Sequence, residues 1–461
     1  MSPTSGARSR VPYRRPAPDA ARRAAYDVLR AVGERDAYAN LVLPNLLRER
    51  GIRDRDAAFA TELTYGALRG RGTYDLIIAA CIDRPLDRVD PPVLDVLRLG
   101  AHQLLAMRVP THAAVSATVE VARAAVGDGR SRFVNAVLRK VAARDLREWV
   151  AQLAPAAEAD ALGHLAVAHA HPRWVVSAFR DAVGGSLDAL EALLEADNQP
   201  AAVSLVARPG RASREELAAA GAEPGRWSPY AMTLPSGNPG DIEAVRSGRA
   251  GVQDEGSQLV AVALTRAPLG EGDDARWLDM CAGPGGKAAL LGALASSRGA
   301  RLLAAEVQPH RALLVQQTVG DDADVVIANS TVGPWRPATF DRVLLDAPCT
   351  GLGALRRRPE ARWRRKPQDV PVLAELQRRL LTAALHAVRP GGVVAYATCS
   401  PHLAETRTVV GDVLRRHGGA DLIDARPLLP DVPELGDGPD VQLWPHVHAT
   451  DAMYLAMLRK A

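Results

Sequence analysis

Two cysteines in the C-terminal half of the chain follow apolar runs that are typical of buried strands. Residues 340–345 lead through Asp346 to Cys349, and residues 393–397 lead to Cys399. Pro348 directly precedes Cys349, and Pro401 lies two residues after Cys399; each proline ends a strand, because proline has no N–H to give to a sheet. One cysteine at a strand end is more often structural than catalytic, but two, each at a sheet end, are hard to explain by packing. The pattern predicts nucleophilic and acid–base chemistry there.

A glycine-rich turn precedes these strands in the chain. Its residues, which we predict to contact a ligand, are Cys281, Ala282, Gly283, Pro284, Gly285, Gly286 and Lys287. An apolar run at 277–280 leads into the turn, and a helical pattern follows at 288–295. Three glycines in four positions allow positive φ and close approach to a ligand, and the helix start adds free N–H groups. An ordinary tight turn between a strand and a helix would also fit these residues.

Glu306 ends the next apolar run, 302–305, and stands 20 residues after Gly286. An acidic residue at that distance meets ribose hydroxyls in nucleotide-binding β-α-β units. The turn itself is neither the dinucleotide fingerprint nor a P-loop, because the spacing of its glycines and lysine differs from both. Adenosine without a pyrophosphate fits better, which indicates S-adenosylmethionine as the cofactor.

Length and composition limit the kinds of protein that the chain can be. It has 461 residues with 47% hydrophobic side chains, which favours two to four globular domains. No apolar run approaches about 18 residues, so we expect no membrane span. Four widely spaced cysteines form no metal pattern, so we expect no metal and a reducing, cytoplasmic setting. Residues 1–17 lack the apolar segment of a secretory signal.

The net charge of +4 permits a polyanionic partner without requiring one. Arginine outnumbers lysine heavily, as in GC-rich genomes, so arginine content alone is weak evidence. A basic run beside the Asp346–Cys349 strand end is more specific, although charge runs are usually solvated faces. From it we predict RNA contacts by four arginines. They are Arg356, Arg357, Arg358 and Arg362.

The chain divides into five segments by pattern. We predict a disordered basic tail at 1–17, an all-α domain of six or seven helices at 18–148, and a helical connector at 149–185. A small α+β domain, RRM-like in its strand and helix pattern, follows at 186–250. From 251 to 461 strands and helices alternate, which is typical of a doubly wound, Rossmann-like α/β sheet that binds ligands at its strands' C-terminal ends. We expect the last apolar run, 453–458, to form a strand that inserts antiparallel into this sheet.

The all-α segment resembles the NusB-type helical domain, which is known for RNA binding. The resemblance rests on four stretches, which are 57–69, 97–105, 109–115 and 133–140. It implies an RNA-binding surface, for which Arg139 in the last stretch is our candidate, with Arg130 and Arg132 nearby. A solvated helix face explains the same arginines equally well.

The C-terminal segment resembles the Sun-type RNA cytosine-C5 methyltransferases. The motifs are Asp-Ala-Pro-Cys at 346–349, Thr-Cys-Ser-Pro at 398–401, the turn at 281–287 and Val-Gln-Asp-Glu-Gly-Ser-Gln at 252–258. With the NusB-like segment, nearly the whole chain resembles bacterial members that act on 16S small-subunit rRNA. The chain departs from the family at Arg208, where Val-Ala-Arg stands for the usual Arg-Val-Asn.

The resemblance implies a role for each site residue. Cys399 is the nucleophile that attacks C6 of cytosine, Asp346 is the partner of N3, and Cys349 assists release. The turn, Glu306, Asn329 and Asp346 contact S-adenosylmethionine, with Asn329 standing where the family commonly has Asp. The target base must be single-stranded or flipped out of its stack. The expected partner is ribosomal RNA, bound by a monomer.

Three other functions fit parts of the same pattern. A DNA-directed cytosine-C5 methyltransferase would use Cys349 as the nucleophile and leave the motif around Cys399 idle. A non-enzymatic rRNA-binding or assembly factor would keep an inactive methyltransferase fold. A small-molecule methyltransferase would not need so large an N-terminal half.

Overall fold

The computed structural model describes residues 18–461, and the predicted basic tail lies outside these residues. The chain separates into two compact units, Met1–Ala156 and Ala157–Ala461. The five-segment division made from sequence stays a prediction. No helix in the described part of the chain is long and apolar enough to cross a membrane.

The first unit is helical. Its helices are α1 (Ala20–Arg35), α2 (Ala39–Glu49), α3 (Asp54–Arg69), α4 (Arg71–Ala80), α5 (Pro91–Leu105), α6 (Thr111–Val126), α7 (Asp128–Val141) and α8 (Leu146–Leu153). The predicted central helix is α5, and it is buried on nearly every side. Arg98 on α5 lies among the apolar residues because Asp75 and Asp95 accept its hydrogen bonds at 2.7–2.9 Å. A buried cation is stable only when it is paired in this way.

The second unit begins with three helices and a small sheet. The helices are α9 (Ala161–Ala168), α10 (Arg173–Ala182) and α11 (Leu187–Asn198). The sheet region contains β1 (Val203–Ala207), α12 (Arg214–Ala219), β2 (Glu223–Pro224), β3 (Ala231–Leu234), α13 (Glu243–Arg246) and β4 (Ala250–Val252). The strands run antiparallel in the order β2-β3-β1-β4, which is the split βαβ arrangement of RRM-like domains.

The remainder of the unit is a doubly wound sheet, as predicted. Its strands are β5 (Arg276–Asp279), β6 (Arg301–Glu306), β7 (Ala323–Ile327), β8 (Phe340–Asp346), β9 (Val388–Thr398), β10 (Ala420–Ile423), β11 (Val441–Gln442) and β12 (Tyr454–Lys460). Its helices are α14 (Glu255–Arg266), α15 (Gly286–Ser296), α16 (Pro309–Val319), α17 (Ala361–Arg364), α18 (Asp369–Ala387), α19 (Arg407–His417) and α20 (Pro445–His448).

Strand order decides which loops meet. The order is β10-β12-β9-β8-β5-β6-β7, with β11 paired to β12. Strands β5 to β9 are parallel, and β12 inserts antiparallel beside β9. In the β8–β9 ladder Asp346 lies opposite Ala397, so both chains leave the sheet at the same edge. The loops that carry Cys349 and Cys399 therefore start side by side.

A buried carboxylate near the end of α11, that of Asp197, accepts no hydrogen bond from the described residues. Asp197 is 1% exposed, and neither of its carboxylate oxygens accepts a hydrogen bond from any described residue. The imidazole Nε2 of His171 lies 3.7 Å from Asp197 Oδ2, and burial lowers the pKa of His171 well below its usual value. Burial raises the pKa of Asp197 to about 7, despite the nearby charge of Arg362.

We predict that Asp197→Asn raises the melting temperature at pH 8 and raises it by a smaller amount at pH 5. The unfolded chain loses the Asp197 proton near pH 4, whereas the folded chain keeps it up to about pH 7. Folded Asp197 thus binds more protons between those values, and its contribution to stability falls as pH rises through them. Asparagine has no such dependence. Circular dichroism melts at the two pH values measure the difference.

Glu195→Gln is the matched control, because Glu195 lies on the same helix but is exposed. We expect its melting temperature to differ from that of the wild type by a similar amount at both pH values. A lower melting temperature for Asp197→Asn at pH 8 would show that folded Asp197 is ionised and stabilising, contrary to the account given above.

Candidate functional site

The glycine turn connects β5 to α15 and contains two positions that only glycine can fill. Gly285 has φ +113°, and a Cβ there would lie 2.8 Å from the side chain of Thr318. A Cβ on Gly283 would lie 2.1 Å from Glu306 Oε2. Gly286, which begins α15, has no protein atom within 4 Å of the place where its Cβ would be. The first turn of α15 is therefore open to a ligand at Gly286.

Glu306 ends β6 and holds the turn in shape. Its Oε2 accepts a hydrogen bond from the Gly283 N–H at 3.1 Å, and its Oε1 accepts one from the Gln308 N–H at 2.9 Å. The carboxylate is only 4% exposed. A ribose bound at Glu306, as the sequence predicts, would share this carboxylate with the backbone of the turn.

Asn329 follows β7 at the same edge of the sheet and is exposed. Its Oδ1 accepts hydrogen bonds from both the N–H and the hydroxyl of Thr331, so its amide NH2 is the group that can donate to a ligand. Val307 and Ile327 are more than half exposed beside it. The β6–β7 ladder places Ile327 opposite Glu306, which makes an apolar surface next to a carboxylate.

Lys287 and Asp346 form an ion pair across the site. Lys287 Nζ donates to Asp346 Oδ2 at 2.9 Å and to Ser257 Oγ at 3.1 Å. Burial acts to lower the pKa of Lys287, but the charge of Asp346 and its hydrogen bond outweigh burial and raise that pKa. The turn is therefore tied to the end of β8 by a charged lysine. Sequence patterns drew attention to Lys287 but did not predict this partner.

Asp279 ends β5 and was missed by the sequence analysis. It has no exposed surface, its Oδ1 accepts the N–H of Cys281, and its Oδ2 has no partner among the described residues. Burial, with a smaller contribution from Asp346, raises the pKa of Asp279 to about 7. The signal in the sequence was an acid at the last position of a strand that leads into a glycine turn.

Cys349 and Cys399 are brought together, with their Sγ atoms 3.5 Å apart. The hydrogen bond with Cys349 lowers the pKa of Cys399, with help from Lys287 and Arg358 and against burial and the charge of Asp346. The same hydrogen bond, and then burial, raise the pKa of Cys349 well above its usual value. Of the two, Cys399 therefore ionises more readily, and the Cys349 thiol is then the donor in their contact.

Cys281 has a different environment from these two residues. Burial raises the pKa of its thiol well above the usual value, and the carboxylates of Asp279 and Asp346 act in the same direction. A protonated thiol is a poor nucleophile. Cys281 therefore supplies no third thiolate, and its contact with a ligand stays a prediction.

The basic run lies close to the site, but part of it points inward. Arg362 has no exposed surface and donates to Asn198 Oδ1 and to the Asp197 carbonyl, each at 2.8 Å. Arg356 is 8% exposed and donates to the Ala449 carbonyl at 2.7 Å. This placement corrects the expectation of solvent-facing RNA contacts at these two residues. Their guanidinium groups satisfy acceptors on distant segments of the second unit.

Arg357 is also engaged by the protein. It donates to Asp254 Oδ1 at 2.7 Å and to Asp451 Oδ1 at 3.0 Å, and it is partly buried. Arg358 is exposed, and its charge helps to lower the pKa of Cys399. Arg139, in the first unit, is exposed on α7. RNA contact by Arg358 and Arg139 stays a prediction.

Comparison with known families matches both units of the chain. Residues 267–459 match the family described as 16S rRNA methyltransferase RsmB/F, and residues 19–143 match the NusB family. The first match covers the glycine turn, Asp346 and both cysteines of the pair. The second covers α1 to α7.

Curated relatives are similar over most of their length. A protein of Mycobacterium tuberculosis (strain ATCC 25618 / H37Rv), named provisionally as a methyltransferase, is 58% identical over 98% of this chain and 99% of its own. The ribosomal RNA small subunit methyltransferase B of Xylella fastidiosa (strain 9a5c) is 34% identical over 78% of this chain and 83% of its own.

Two solved structures share the fold. The structure titled "Crystal Structure of PH0851" has a TM-score of 0.80 with 21% identity, over 96% of this chain and 98% of its own. The structure of NSun6 from Pyrococcus horikoshii with SFG has a TM-score of 0.53 with 17% identity, over 63% of this chain and 98% of its own.

Proposed function

The chain belongs to the 16S rRNA methyltransferase RsmB/F family, and from this premise we propose that it methylates C5 of a cytosine in 16S rRNA with S-adenosylmethionine. We propose further that the reaction passes through a covalent bond between Cys399 and C6 of the base. The observation that carries the proposal is the contact between the Sγ atoms of Cys399 and Cys349, next to the Lys287–Asp346 pair.

The site residues fit S-adenosylmethionine. The backbone is open at Gly286, Glu306 is placed for ribose hydroxyls, and Asn329 offers an amide beside the exposed apolar side chains of Val307 and Ile327. An adenine ring needs such an apolar surface and a hydrogen-bond partner at its edge. When bound, the cofactor supplies an electrophilic methyl group.

Cytosine needs activation before C5 can accept a methyl group. Attack of the Cys399 thiolate on C6 makes C5 an enamine-like carbon and moves negative charge toward N3. Asp346 stabilises that charge by giving N3 a hydrogen bond or a proton. Asp346 does this in its protonated form, which takes its proton from water, while the ammonium of Lys287 holds Asp346 in place through a hydrogen bond to Oδ2.

The same thiol contact links the first and last steps. Cys349 holds its proton chiefly because of the hydrogen bond to Cys399. Once Cys399 is bonded to carbon it has no negative charge, so the largest cause that raises the pKa of Cys349 is gone. Cys349 then becomes a stronger acid and gives its proton to water, and its thiolate can remove the C5 proton as the Cys399–C6 bond breaks. Formation of the Cys399–C6 bond thus favours ionisation of Cys349, which is the base for the release of Cys399.

These protonation states favour Cys399 over Cys349 as the nucleophile. A DNA-type mechanism would need the thiolate on Cys349, whose pKa is raised well above its usual value. The proposal therefore assigns attack to Cys399 and release to Cys349. A non-enzymatic rRNA-binding factor would retain the fold without needing this asymmetry between the two thiols.

A covalent trap tests the proposed roles. With S-adenosylmethionine and a 16S rRNA fragment containing 5-fluorocytosine, we expect a protein–RNA adduct that survives denaturing gel electrophoresis, because fluorine at C5 cannot leave as a proton does. Cys399→Ser should form no adduct. Cys349→Ser should form it, and should also accumulate an adduct with ordinary cytosine, since release is impaired.

Cys81→Ser is the control for loss of a thiol, because Cys81 is buried in the first unit. It should behave as the wild type. An adduct that requires Cys349 but not Cys399 would favour the DNA-type mechanism. Tight rRNA binding with no adduct and no methyl transfer by the wild type would favour the non-enzymatic factor.

Two glycine substitutions test the cofactor site. Gly283→Ala forces the turn away from Glu306, so we expect a lower melting temperature and weaker binding of S-adenosylhomocysteine, by about 10-fold or about 1.4 kcal/mol. Gly286→Ala adds a methyl group that meets no protein atom. It should keep the wild-type melting temperature and still weaken binding, because the methyl group meets the ligand. Titration calorimetry and thermal melts measure both effects.

Gly129→Ala provides the matched control. Gly129 lies in α7, and a Cβ there also has no atom within 4 Å. Binding should stay at the wild-type level in this variant. Unchanged binding in both Gly283→Ala and Gly286→Ala would contradict the placement of the cofactor at this turn.

A further inference from the structure

Glu405 is a fully buried carboxylate between the two cysteine loops. It ends a short 3₁₀ helix, Leu403–Glu405, and has no exposed surface. Glu405 forms no ion pair with the described residues, so hydrogen bonds compensate its burial. The backbone is itself anchored, because the Tyr396 hydroxyl donates to the Glu405 carbonyl at 2.7 Å.

Both oxygens of Glu405 accept hydrogen bonds from the residues next to the cysteines. Oε1 accepts the Thr350 N–H at 2.8 Å, and Oε2 accepts the Thr350 hydroxyl. Oε2 also accepts the Ser400 hydroxyl at 2.7 Å. Thr350 directly follows Cys349, and Ser400 directly follows Cys399. The Glu405 carboxylate therefore connects Thr350 to Ser400, and these two residues determine where the neighbouring cysteine thiols lie.

Gln377 on α18 completes this connection. Its side-chain NH2 donates to Glu405 Oε1 at 3.2 Å and to the Pro348 carbonyl at 2.8 Å. Cys349 is thus held from both sides, through Pro348 before it and Thr350 after it. All the groups around the carboxylate are donors, which is the arrangement that suits its ionised form.

We propose that Glu405 is a positioning residue that holds the Cys349 thiol against the Cys399 sulfur for the methyl transfer. It acts through Thr350 and Ser400 and does not touch substrate or cofactor. Its kinetic consequences rest on the function proposed above, but its effect on the two thiols does not. No motif in the sequence analysis included Glu405.

The charge of Glu405 acts in the same direction as its hydrogen bonds. After the hydrogen bond with Cys399, burial and the charge of Cys399, the carboxylate of Glu405 also raises the pKa of Cys349, as does Asp346. Cys399 faces the cations Lys287 and Arg358 as well as Asp346. Glu405 thus helps to keep the proton on Cys349 and the negative charge on Cys399.

Glu405→Gln tests the proposal with little change of shape. The amide oxygen can still accept from the Thr350 N–H, and the amide NH2 can donate to the two hydroxyls, so we expect the variant to fold. Its hydrogen bonds lose their charge assistance, and Cys349 loses a neighbour that keeps it protonated. At pH 7 the ratio of iodoacetamide alkylation rates at Cys399 and Cys349 should fall about 10-fold, as for a shift of about one pKa unit.

Methylation kinetics give the second measurement. We expect kcat of Glu405→Gln to fall about 10- to 100-fold, as for a small misplacement of reacting groups, with KM for S-adenosylmethionine and RNA nearly unchanged. Ser400→Ala removes only the tie to the Cys399 loop. It should show the same changes to a smaller degree, and it replaces Glu405→Gln if that variant does not fold.

Asp341→Asn is the matched control for loss of a buried carboxylate. Asp341 is 1% exposed and accepts the N–H groups of Ala275 and Arg276 at 2.8 Å, at the opposite end of β8 from the cysteines. This variant should melt at a lower temperature but keep the alkylation ratio and kcat of the wild type. The contrast between Glu405→Gln and Asp341→Asn distinguishes an effect on the cysteine pair from a general loss of stability.

The outcomes separate this inference from the proposed function. A reduced alkylation ratio in Glu405→Gln supports the positioning role even if the wild type proves not to methylate cytosine. An unchanged ratio in folded Glu405→Gln and Ser400→Ala overturns the inference, whether or not the wild type is active. An equal fall of the ratio in Asp341→Asn also overturns it, because any loss of stability would then have the same effect.

Discussion

The hydrogen bond between Cys349 and Cys399 is the contact on which the account of this site depends. Two thiols 3.5 Å apart cannot both ionise readily, so one becomes the thiolate and the other its donor. The surroundings influence which cysteine ionises, since Lys287 and Arg358 favour charge on Cys399 and Glu405 disfavours it on Cys349, while Asp346 disfavours it on both. The contact and its surroundings therefore make Cys399 the more readily ionised cysteine before any substrate binds.

The fold supplies this contact through strand order. The parallel neighbours β8 and β9 end at one edge of the sheet, next to β5 and the glycine turn. Lys287 then ties the turn to Asp346, and Glu405 ties the two cysteine loops together. These contacts join the loops that follow β5, β8 and β9, so the glycine turn and the two cysteines meet at the same sheet edge.

Local patterns are sufficient to predict the sheet, the glycine turn and the position of both cysteines after strand ends. Apolar runs, glycines and prolines act on their immediate neighbours, so their effects can be seen in the sequence. They were insufficient for β2 and β4, which span two and three residues and carry almost no periodicity. They also failed for Arg362, since its burial depends on Asn198, 164 positions earlier. Glu405 was missed because an isolated acid after a strand has no local signature, and its meaning appears only when Thr350 folds against it.

The most direct test of the central claim follows the hydrogen at C5. A 16S rRNA fragment labelled with tritium at C5 of cytosine is incubated with the wild-type protein and S-adenosylmethionine carrying a ¹⁴C-methyl group. The account predicts that one tritium enters water for each methyl group incorporated, and that both signals vanish in Cys399→Ser. Methyl incorporation with the tritium retained would place the methyl group elsewhere and contradict the mechanism.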